Sequence, residues 1–520
     1  MKAKVRAVHR SPALRAVPRI VNTGYSNYGA NTHKKSMRGW MYHGGDAKRD
    51  IEDNLDILRQ RSRDAYMGVP TATAALKTLR TNVVAGGLTP TPQLDGAYLN
   101  LDVDQVAELQ AQITREWNLW AKDPLCDADG LDNFYQLQQL AFLSAQMNGD
   151  AFVLLQTENT KGMPYSLRLR LIEADRVCSP DMNDVTVPTE INGRHVERIV
   201  QGVETDAAGK VVAYWICDRH PLSVDMYSGP AKWTRVEAYG RKTGRRNILH
   251  IMQRERAGQL RGVPVLAPVL ESLKQLGRYS DAELNAAVIT AAYTIFIEKE
   301  QAGEAPPLGE MLPPDMQIDA QDPTSIELAP GAIVDLNPGE KMAETKPSRP
   351  NAAFEAFYRA VTKEISEALE IPIEVLEKNF NASYSAARGA LNEFWRTCGM
   401  LRSWFAEKFC QPIYELWLAE AVGLGRVRAP GYFADKAIAK AYAACEWNGP
   451  ARTNLNPVQE VTAAEKRIAL GISTAEQETA QMTGGSYTAN MRQRKIEAQQ
   501  KAEVDKIGKE EPAPADPAGS

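Results

Sequence analysis

The spacing of apolar residues divides the first half of the chain into a helical part and a strand-rich part. From Asp46 to about Val84, and again over Asp104–Trp120 and Asn133–Met147, apolar side chains recur every three or four residues, which predicts amphipathic helices. Over Ala151–Ile216 the pattern changes to short apolar or alternating runs between turn residues, which is typical of strands. The body of the protein is therefore predicted to be a mixed α+β unit that ends near residue 262.

Two long helical segments follow this body, and a proline-rich stretch separates them. The first covers about Pro268–Thr294, and the second runs from about residue 351 to a stop before Pro372. Residues 301–350 between them are rich in proline, glycine and acidic side chains. That composition predicts a small, loop-rich insert between two helices.

A third long helix is predicted from about Ser385 to Ala421, with a kink at Pro412 because proline cannot donate its helical hydrogen bond. At 1.5 Å per residue such an element would be roughly 50 Å long. The C-terminal part is also predicted to be helical, with a capping box at Ser473–Glu476. The charged and then Pro/Ala-rich end is predicted to be disordered.

Composition and charge limit the classes of protein that fit this pattern. The 520 residues are 44% hydrophobic and 24% charged, which is ordinary for a globular protein with several packed units. The net charge of -4 excludes a global basic field that would grip nucleic acid. Residues 1–45 show no sustained period and are predicted to be a partly disordered arm. The apolar run Ala286–Ile297 is too short to span a bilayer, so no membrane association is expected.

Motifs of enzymes and metal proteins are incomplete in this sequence. The six cysteines are scattered without a C-x-x-C pair, which predicts reduced, buried thiols. Gly202–Lys210 superficially resembles a phosphate loop, but Val211 stands where a hydroxyl must hold the metal. Asp127–Gly130 resembles a calcium loop, but Leu125 and Gln136 occupy ligand positions. We therefore predict no catalytic residue, no metal site and no cofactor, although dispersed carboxylates could still meet in a nuclease-like cluster.

Several distinctive runs of sequence follow one another over roughly residues 50–480. They are Gly202–Asp206 with Gly209 and Tyr214, Arg254–Leu270 (RERAGQLRGVPVLAPVL), Leu276–Leu284 (LGRYSDAEL), Ser383–Arg388 and Trp447–Pro450. These runs resemble those of the lambda-type family of tailed-phage portal proteins, and the order of body, helix, insert, helix and long helix is likewise similar to the portal fold.

The resemblance implies a predominantly helical α+β portal fold with wing, stem, clip and crown, assembled as a ring of twelve identical subunits. Carried over to this chain, it implies an N-terminal arm at 1–45, a wing at 46–265, a first stem helix at 266–300, a clip at 301–350, a second stem helix at 351–371, a tunnel loop at 372–390, a long kinked helix at 391–426, a crown at 427–500 and a disordered tail at 501–520.

The resemblance also implies a structural role in the virion rather than catalysis. The ring would form the DNA channel at one capsid vertex, for genome packaging by the terminase, head–tail joining and DNA ejection. Implied partners are other copies of the chain, the large terminase subunit, the head–tail connector or neck protein, major capsid and scaffold proteins, and double-stranded DNA in transient, non-specific contact. Assembly would take place in the host cytoplasm. The alternatives are a capsid-associated enzyme, such as a maturation protease or nuclease, and a scaffold without a DNA role.

Candidate site residues lie mainly around the implied tunnel loop. Glutamates near the second stem helix would repel phosphates and so keep DNA moving, since tight neutralisation would trap it; a plain solvated helix face is the alternative for them. Lys378, Asn379 and Arg388 are candidates for transient phosphate contact, and ordinary loop polarity is their alternative. The channel set is Glu374, Glu377, Lys378, Asn379, Tyr384 and Arg388, with Glu364, Glu367 and Glu370 on the helix before it.

A second candidate set concerns contacts between subunits. Arg254, Arg256 and Arg261 lie in the run that precedes the first stem helix. Arginine is well suited to interface ion pairs because its guanidinium offers five donors in a planar fork. We therefore expect these three side chains to form intersubunit ion pairs, with local surface charge as the alternative.

Overall fold

The computed structural model describes residues 30–31, 34–40, 44–223, 229–292, 354–379, 384–451 and 457–507. Helices predominate over strands in these ranges. The α-helices are α1 Ala47–Asp50, α2 Leu55–Gly68, α3 Pro70–Val83, α4 Gly96–Leu99, α5 Val103–Ala121, α6 Phe134–Asn148, α7 Leu270–Ala292, α8 Phe354–Ala368, α9 Ile373–Leu376, α10 Tyr384–Phe405, α11 Gln411–Gly423, α12 Lys436–Tyr442, α13 Pro457–Ala469, α14 Ala475–Thr483 and α15 Tyr487–Ile507.

The strands pair in antiparallel fashion and form small sheets. They are β1 Thr89–Pro92, β2 Asp150–Thr157, β3 Leu167–Ile172, β4 Thr189–Ile191, β5 Arg194–Val196, β6 Arg198–Val200, β7 Val203–Thr205, β8 Val211–Cys217, β9 Trp233–Glu237, β10 Ile248–Met252 and β11 Cys445–Asn448. One sheet has the order β10-β2-β3 and another has the order β6-β7-β8-β9, while β4-β5 and β1-β11 form two-stranded ribbons. The predicted mixture of helix and strand is confirmed.

The body helices begin where side chains cap their first turns. Asp102 accepts a hydrogen bond from the backbone N–H of Gln105, whose side chain bonds back to Asp102, and α5 starts at this capping box. Asn133 and Gln136 make the same reciprocal pair at the start of α6. Both predicted helices are thus confirmed, each within a residue of its expected ends.

An aromatic core joins the body to α11, the second half of the third long helix. Trp117 of α5 packs edge-on against Phe134 of α6 and Trp417 of α11, with 5.0 Å between ring centroids in each pair. Tyr414 lies 5.3 Å from Trp117 in a similar arrangement. Such pairs contribute about 0.5–1.5 kcal/mol each beyond the apolar area they bury. Residues far apart in the sequence therefore form one continuous core.

The third long helix contains a π-helical turn rather than a simple kink at Pro412. Residues Ala406–Cys410 form this turn between α10 and α11, and the backbone N–H of Gln411 donates to the carbonyl of Ala406. A π-turn inserts one extra residue and widens the helix. The predicted irregularity is therefore present, but it lies ahead of the proline that was expected to cause it.

Three further predictions need correction. The range 372–390 is mostly helical, because α9 lies near its start and α10 already begins at Tyr384. The capping box near residue 474 uses Thr474 and Gln477 instead of Ser473 and Glu476. Helix α15 continues to Ile507, into the range expected to be disordered. The predicted clip at 301–350 lies outside the described residues.

Candidate functional site

The two predicted stem helices are anchored in the main core at their body-proximal ends. Leu273 and Leu276 of α7 are buried there, as are Ile365 of α8 and Leu369, the residue that follows this helix. Tyr279 extends this contact outward, since its ring lies 5.3 Å from that of Phe354 and 5.0 Å from that of Phe357. The helices thus stand side by side on the body.

Beyond this anchored base, apolar side chains of both helices face solvent. Leu284 and Val288 of α7 are 65% and 60% exposed, and Phe357 of α8 is 52% exposed. A groove of about 370 Å³ between the helices is lined by Ser272, Gln275, Leu276, Tyr279, Phe357, Val361 and Glu364. Within the described residues, the chain itself leaves this apolar strip uncovered, and such strips mark interaction surfaces.

A tight turn links α8 to α9 and fixes the start of the predicted tunnel segment. The backbone N–H of Ile371 donates to the carbonyl of Ser366 at 3.1 Å, and the Ser366 hydroxyl donates back to the carbonyl of Ile371. Glu370 adopts a left-handed φ of 55° at the helix end. Leu376 of α9 is buried in the main core, so α9 is held to the body rather than projecting freely.

The predicted channel residues of this segment occupy different environments. Glu374 lies in α9 and is half-buried, whereas Glu377, Lys378 and Asn379 are exposed. A carboxylate oxygen of Glu377 lies 3.8 Å from Nε of Arg359 on α8. Lys378 has a left-handed φ of 55°, so the chain turns sharply there. The structure thus brings three of the predicted polar residues together at one exposed turn.

Tyr384 and Arg388 lie after residues 380–383, which are outside the described part. Tyr384 is the first residue of α10, and Arg388 is exposed one turn later. Nη2 of Arg388 lies 3.4 Å from Oε1 of Glu460 on α13, in the predicted crown. A phosphate would therefore have to compete with this carboxylate for Arg388. The three glutamates of the preceding helix segment, Glu364, Glu367 and Glu370, are exposed, and Glu367 lies 3.8 Å from Lys363.

Arg261 is buried inside the chain, which corrects the prediction that it contacts a neighbouring subunit. Its Nε lies 2.6 Å from Oδ2 of Asp150 and its Nη2 lies 3.2 Å from Oδ1. The remaining N–H groups donate to three backbone carbonyls, so all five donors are used within the chain. The donors go to Asp150, Ala174, Val177 and Gln201.

The other two arginines of that run remain at the surface. Arg256 donates to Asp50 at 2.6 Å and to the carbonyl of Gly45 at 3.0 Å, and both acceptors belong to the same chain. Arg254 is exposed. A contact with a neighbouring subunit stays a prediction for these two residues.

Asp150 is the centre of a buried charged cluster at the junction of α2, β2, β10 and the segment before α7. Arg59 of α2 places Nη2 3.5 Å from Oδ1 of Asp150, and His250 of β10 places Nε2 3.4 Å from Oδ2. The backbone N–H of Gly262 also donates to Oδ2 at 3.2 Å. One carboxylate, at the start of β2, thereby ties α2 and β10 to the segment that precedes α7.

Burial and charge act against each other on the pKa values of this cluster. Burial alone would raise the pKa of Asp150, but the charges of Arg261 and Arg59 outweigh it and hold that pKa below its usual range. Burial, with the nearby charge of Arg261, lowers the pKa of Arg59 to about 10. Burial likewise lowers the pKa of His250, which favours the neutral ring. The cluster therefore combines one carboxylate with two guanidinium groups.

One group of potential metal ligands occurs in the described part of the chain, at Glu173, Asp175 and His220, whose ligand atoms lie within 4.8 Å of one another. Arg63 is ion-paired with Asp175 and lies 3.7 Å from Glu173. A guanidinium thus already contacts both carboxylates, and this arrangement does not favour a catalytic metal. No helix among the described residues is long and apolar enough to cross a membrane.

Comparison with known proteins places the chain in a family. The family described as "Phage portal protein, lambda family" matches residues 33–402. The chain therefore belongs to the lambda family of phage portal proteins, and its role is that of a portal protein, as its sequence runs predicted.

The relatives and structural neighbours carry related names. The chain is 23% identical to "Portal protein B" of Escherichia phage lambda, over 74% of this chain and 72% of that protein. It is 22% identical to the "Portal protein" of Escherichia phage N15, over 85% and 84% respectively. It is similar to a chain in the neck of a native gene transfer agent particle, with 15% identity, coverage of 82% and 92%, and a TM-score of 0.39. A chain in the neck of the empty particle gives a TM-score of 0.41 at 16% identity, with the same coverage.

Sequence reasoning missed the partners of its own candidates. Arg261 and Arg388 were selected by their positions in two runs, but their partners Asp150 and Glu460 lie 111 and 72 residues away. The run Asn148-Gly149-Asp150 lies where α6 ends and β2 begins. A charged residue at the first position of an otherwise apolar strand was the available signal.

Proposed function

We propose that copies of this chain form the ring-shaped DNA channel at one vertex of a phage capsid, with the terminase, the neck protein and the capsid and scaffold proteins as partners. The family match over residues 33–402 is the observation that carries the proposal. A portal of twelve subunits would serve genome packaging, head–tail joining and DNA ejection. The role is structural, without cofactor or turnover.

The stem geometry supports assembly of neighbouring copies. The bases of α7 and α8 are held in the core, while Leu284, Val288 and Phe357 face solvent further out. Burying apolar surface contributes about 25 cal/mol per Å². A ring of copies would place one subunit's strip against the next subunit's helices and remove it from water.

The charge distribution supports a channel that does not hold its cargo. Glu364, Glu367 and Glu370 are exposed along the end of α8, and Glu377 follows at the exposed turn. Neutralising many phosphates would produce tight, salt-dependent binding. Carboxylates beside a few cations, such as Lys378 and Arg388, would instead permit brief contacts. We place residues 377–379 at the narrow part of the channel.

Electron-microscope images of the purified protein viewed along its symmetry axis test the assembly. We expect closed rings with a central hole wide enough for a duplex. A protein that remains monomeric at high concentration and at every salt concentration tried would contradict the proposal.

A loop substitution tests the DNA role separately. Glu377→Ser/Lys378→Ser/Asn379→Ser changes only exposed side chains, and it spares the buried Leu376. Capsids should still assemble, but DNA packaging or retention should fall at least about tenfold, by nuclease protection of packaged genomes. The matched control is Glu158→Ser/Asn159→Ser/Lys161→Ser, which removes the same three residue types from the exposed β2–β3 connection. If both variants package the same amount of DNA, the proposal that residues 377–379 line the channel is wrong.

A further inference from the structure

The helices α11–α15 lie beyond residue 402, where the family match ends. Helix α13 is unusual because its apolar side faces solvent. Val458, Val461 and Ile468 are 75%, 56% and 40% exposed. An amphipathic helix of a globular protein normally turns that side toward a core.

The inward side of α13 is held by charges and a small residue instead. Glu460 lies 3.4 Å from Arg388 of α10, and Nη2 of Arg467 lies 2.6 Å from Oε2 of Glu478 on α14. Ala464, 5% exposed, is the buried contact between these pairs. The orientation of α13 on its own subunit is thus set by ion pairs, and the apolar face is left over.

That apolar face has the spacing of a helix–helix seam. Val458, Val461 and Ile468 lie at the three- and four-residue steps of a coiled-coil stripe, with Glu465 filling the position between Val461 and Ile468. We call these four residues the α13 stripe. Its geometry suits one helix lying along it, and its only charge is negative.

Helix α15 has the complementary properties. All its side chains from 487 to 504 are exposed, although the helix runs for roughly 30 Å. Helices in water draw most of their stability from packing. Tyr487, Met491 and Ala498 share one face of α15, and Arg494 and Lys495 flank that face. The charge beside this face is positive, opposite to that of Glu465.

The start of α15 is fixed on its own chain in a way that leaves the α13 stripe open. The backbone N–H and the hydroxyl of Thr488 both donate to a carboxylate oxygen of Glu476 on α14, at 3.0 and 3.2 Å. With that end attached, no described part of the same chain covers the exposed faces of α15 and of the α13 stripe.

We infer that α15 of one subunit packs on the α13 stripe of the neighbouring subunit, so that the crown is joined by a helix-to-helix contact repeated around the ring. This contact rests on the proposed ring assembly and names the second copy as the occupant of the stripe. Each subunit offers one stripe and one α15, so copies that follow one another head-to-tail around a ring use both surfaces of every subunit.

Photo-cross-linking tests the contact directly. A benzoyl-phenylalanine at position 461 is introduced into the full chain, and light and ¹⁵N-labelled copies are co-assembled before illumination and mass spectrometry. We expect cross-links from position 461 to residues 487–504 that join light to heavy chains. Cross-links only within one chain, to another α13, or to a different protein segment would overturn the inference.

Substitutions in the α13 stripe and in α15 provide a second test, with ring formation as the measurement. Val461→Asp/Ile468→Asp should lower the ring-to-monomer ratio at least about tenfold. Glu465→Lys should lower the equilibrium constant of each contact about twofold to fivefold, and adding Lys495→Glu should restore it. Lys466→Glu, outside the stripe, is the control and should have no effect. If the stripe variants form rings with the same ring-to-monomer ratio as the wild type, the inferred contact is wrong but the proposed ring assembly stands. If the wild-type chain never forms rings, the proposed function is wrong as well.

Discussion

The carbonyl oxygen of Gly149 lies 1.9 Å from where a β-carbon on Gly262 would stand. Conversely, a β-carbon on Gly149 would lie 2.5 Å from the backbone of Gly262, and Gly149 also has a left-handed φ of 89°. Two backbone segments therefore touch next to the Asp150 cluster, a few residues before the start of α7. Only glycine fits at both positions.

Gly262→Ala should destabilise the subunit by about 3 kcal/mol or more, because the new methyl group meets backbone that cannot move aside. The change is measured as a lower midpoint of thermal unfolding. Gly68→Ala is the control: nothing lies within 4 Å of its β-carbon position at the end of α2. A Gly262→Ala protein as stable as this control would contradict the close approach.

Asp150→Asn should lower the free energy of unfolding by about 3–5 kcal/mol. The substitution removes the only carboxylate that Arg59 and Arg261 share in their buried cluster, and it leaves two guanidinium charges without a counterion there. Asp129→Asn removes the partner of the exposed Arg170 and should cost no more than about 0.5 kcal/mol. Denaturant titrations of both variants measure the difference, and similar losses would show that burial does not set the size of the effect.

His250 should make stability depend on pH between about 5 and 7. Because burial lowers its pKa, the unfolded chain binds a proton near pH 6.5 that the folded chain does not. The neutral imidazole of His250 therefore contributes fully to the free energy of unfolding at a pH above its unfolded pKa. This contribution is lost as the pH falls toward the lower pKa of the folded state. His250→Gln should flatten the fall in thermal midpoint between about pH 7.5 and pH 5.5. His195→Gln, at an exposed histidine, should retain the wild-type slope.

The cysteines should be inert in the folded protein. Burial raises the pKa of Cys126 and of Cys398 to about 12, and that of Cys410 well above its ordinary value. Since the thiolate is the reactive form, alkylation near pH 8 should be at least about a hundredfold slower than in denaturant. Mass spectrometry after timed labelling measures this. Rapid labelling of Cys126 or Cys410 in the native protein would show that their surroundings open.

The balance between Glu460 and Arg388 should influence DNA handling. Under the proposed function, Glu460→Gln releases Arg388 from its carboxylate, and the assembled ring should hold DNA more tightly at low salt. Arg388→Ala should act in the opposite direction. Both effects are measured as the salt concentration that releases a short duplex from the rings. Identical release for both variants would exclude Arg388 from phosphate contact.

Local patterns were sufficient to predict helices such as α5 and α6, because periodicity and caps depend on residues within one or two turns. The ends of α5 follow from Asp102 and its capping box, and those of α6 from Asn133. The strand β1 was missed because its sequence, Thr-Pro-Thr-Pro, lacks two backbone donors and argues against a strand. It exists because β11 pairs with it from more than 350 residues away.

The candidate site was predictable only in part, for the same reason. The exposed turn with Glu377 and Lys378 could be located from a stop before Pro372 and the polar residues after it. The burial of Arg261 could not, because its carboxylate partner approaches from a distant strand and a charged run normally indicates surface. The one-residue shift of the cap from Ser473 to Thr474 reflects two adjacent hydroxyl residues that local rules do not separate.

The aromatic core has a practical consequence for the choice of a shorter fragment of this protein. Its buried side chains include Phe405, Phe409, Tyr414 and Trp417, which all follow residue 402, where the family match stops. A fragment that ended at residue 402 would lose these side chains and would expose Trp117, which packs against Tyr414 and Trp417, to water. A fragment with an intact interior must therefore extend past the family match, through α11.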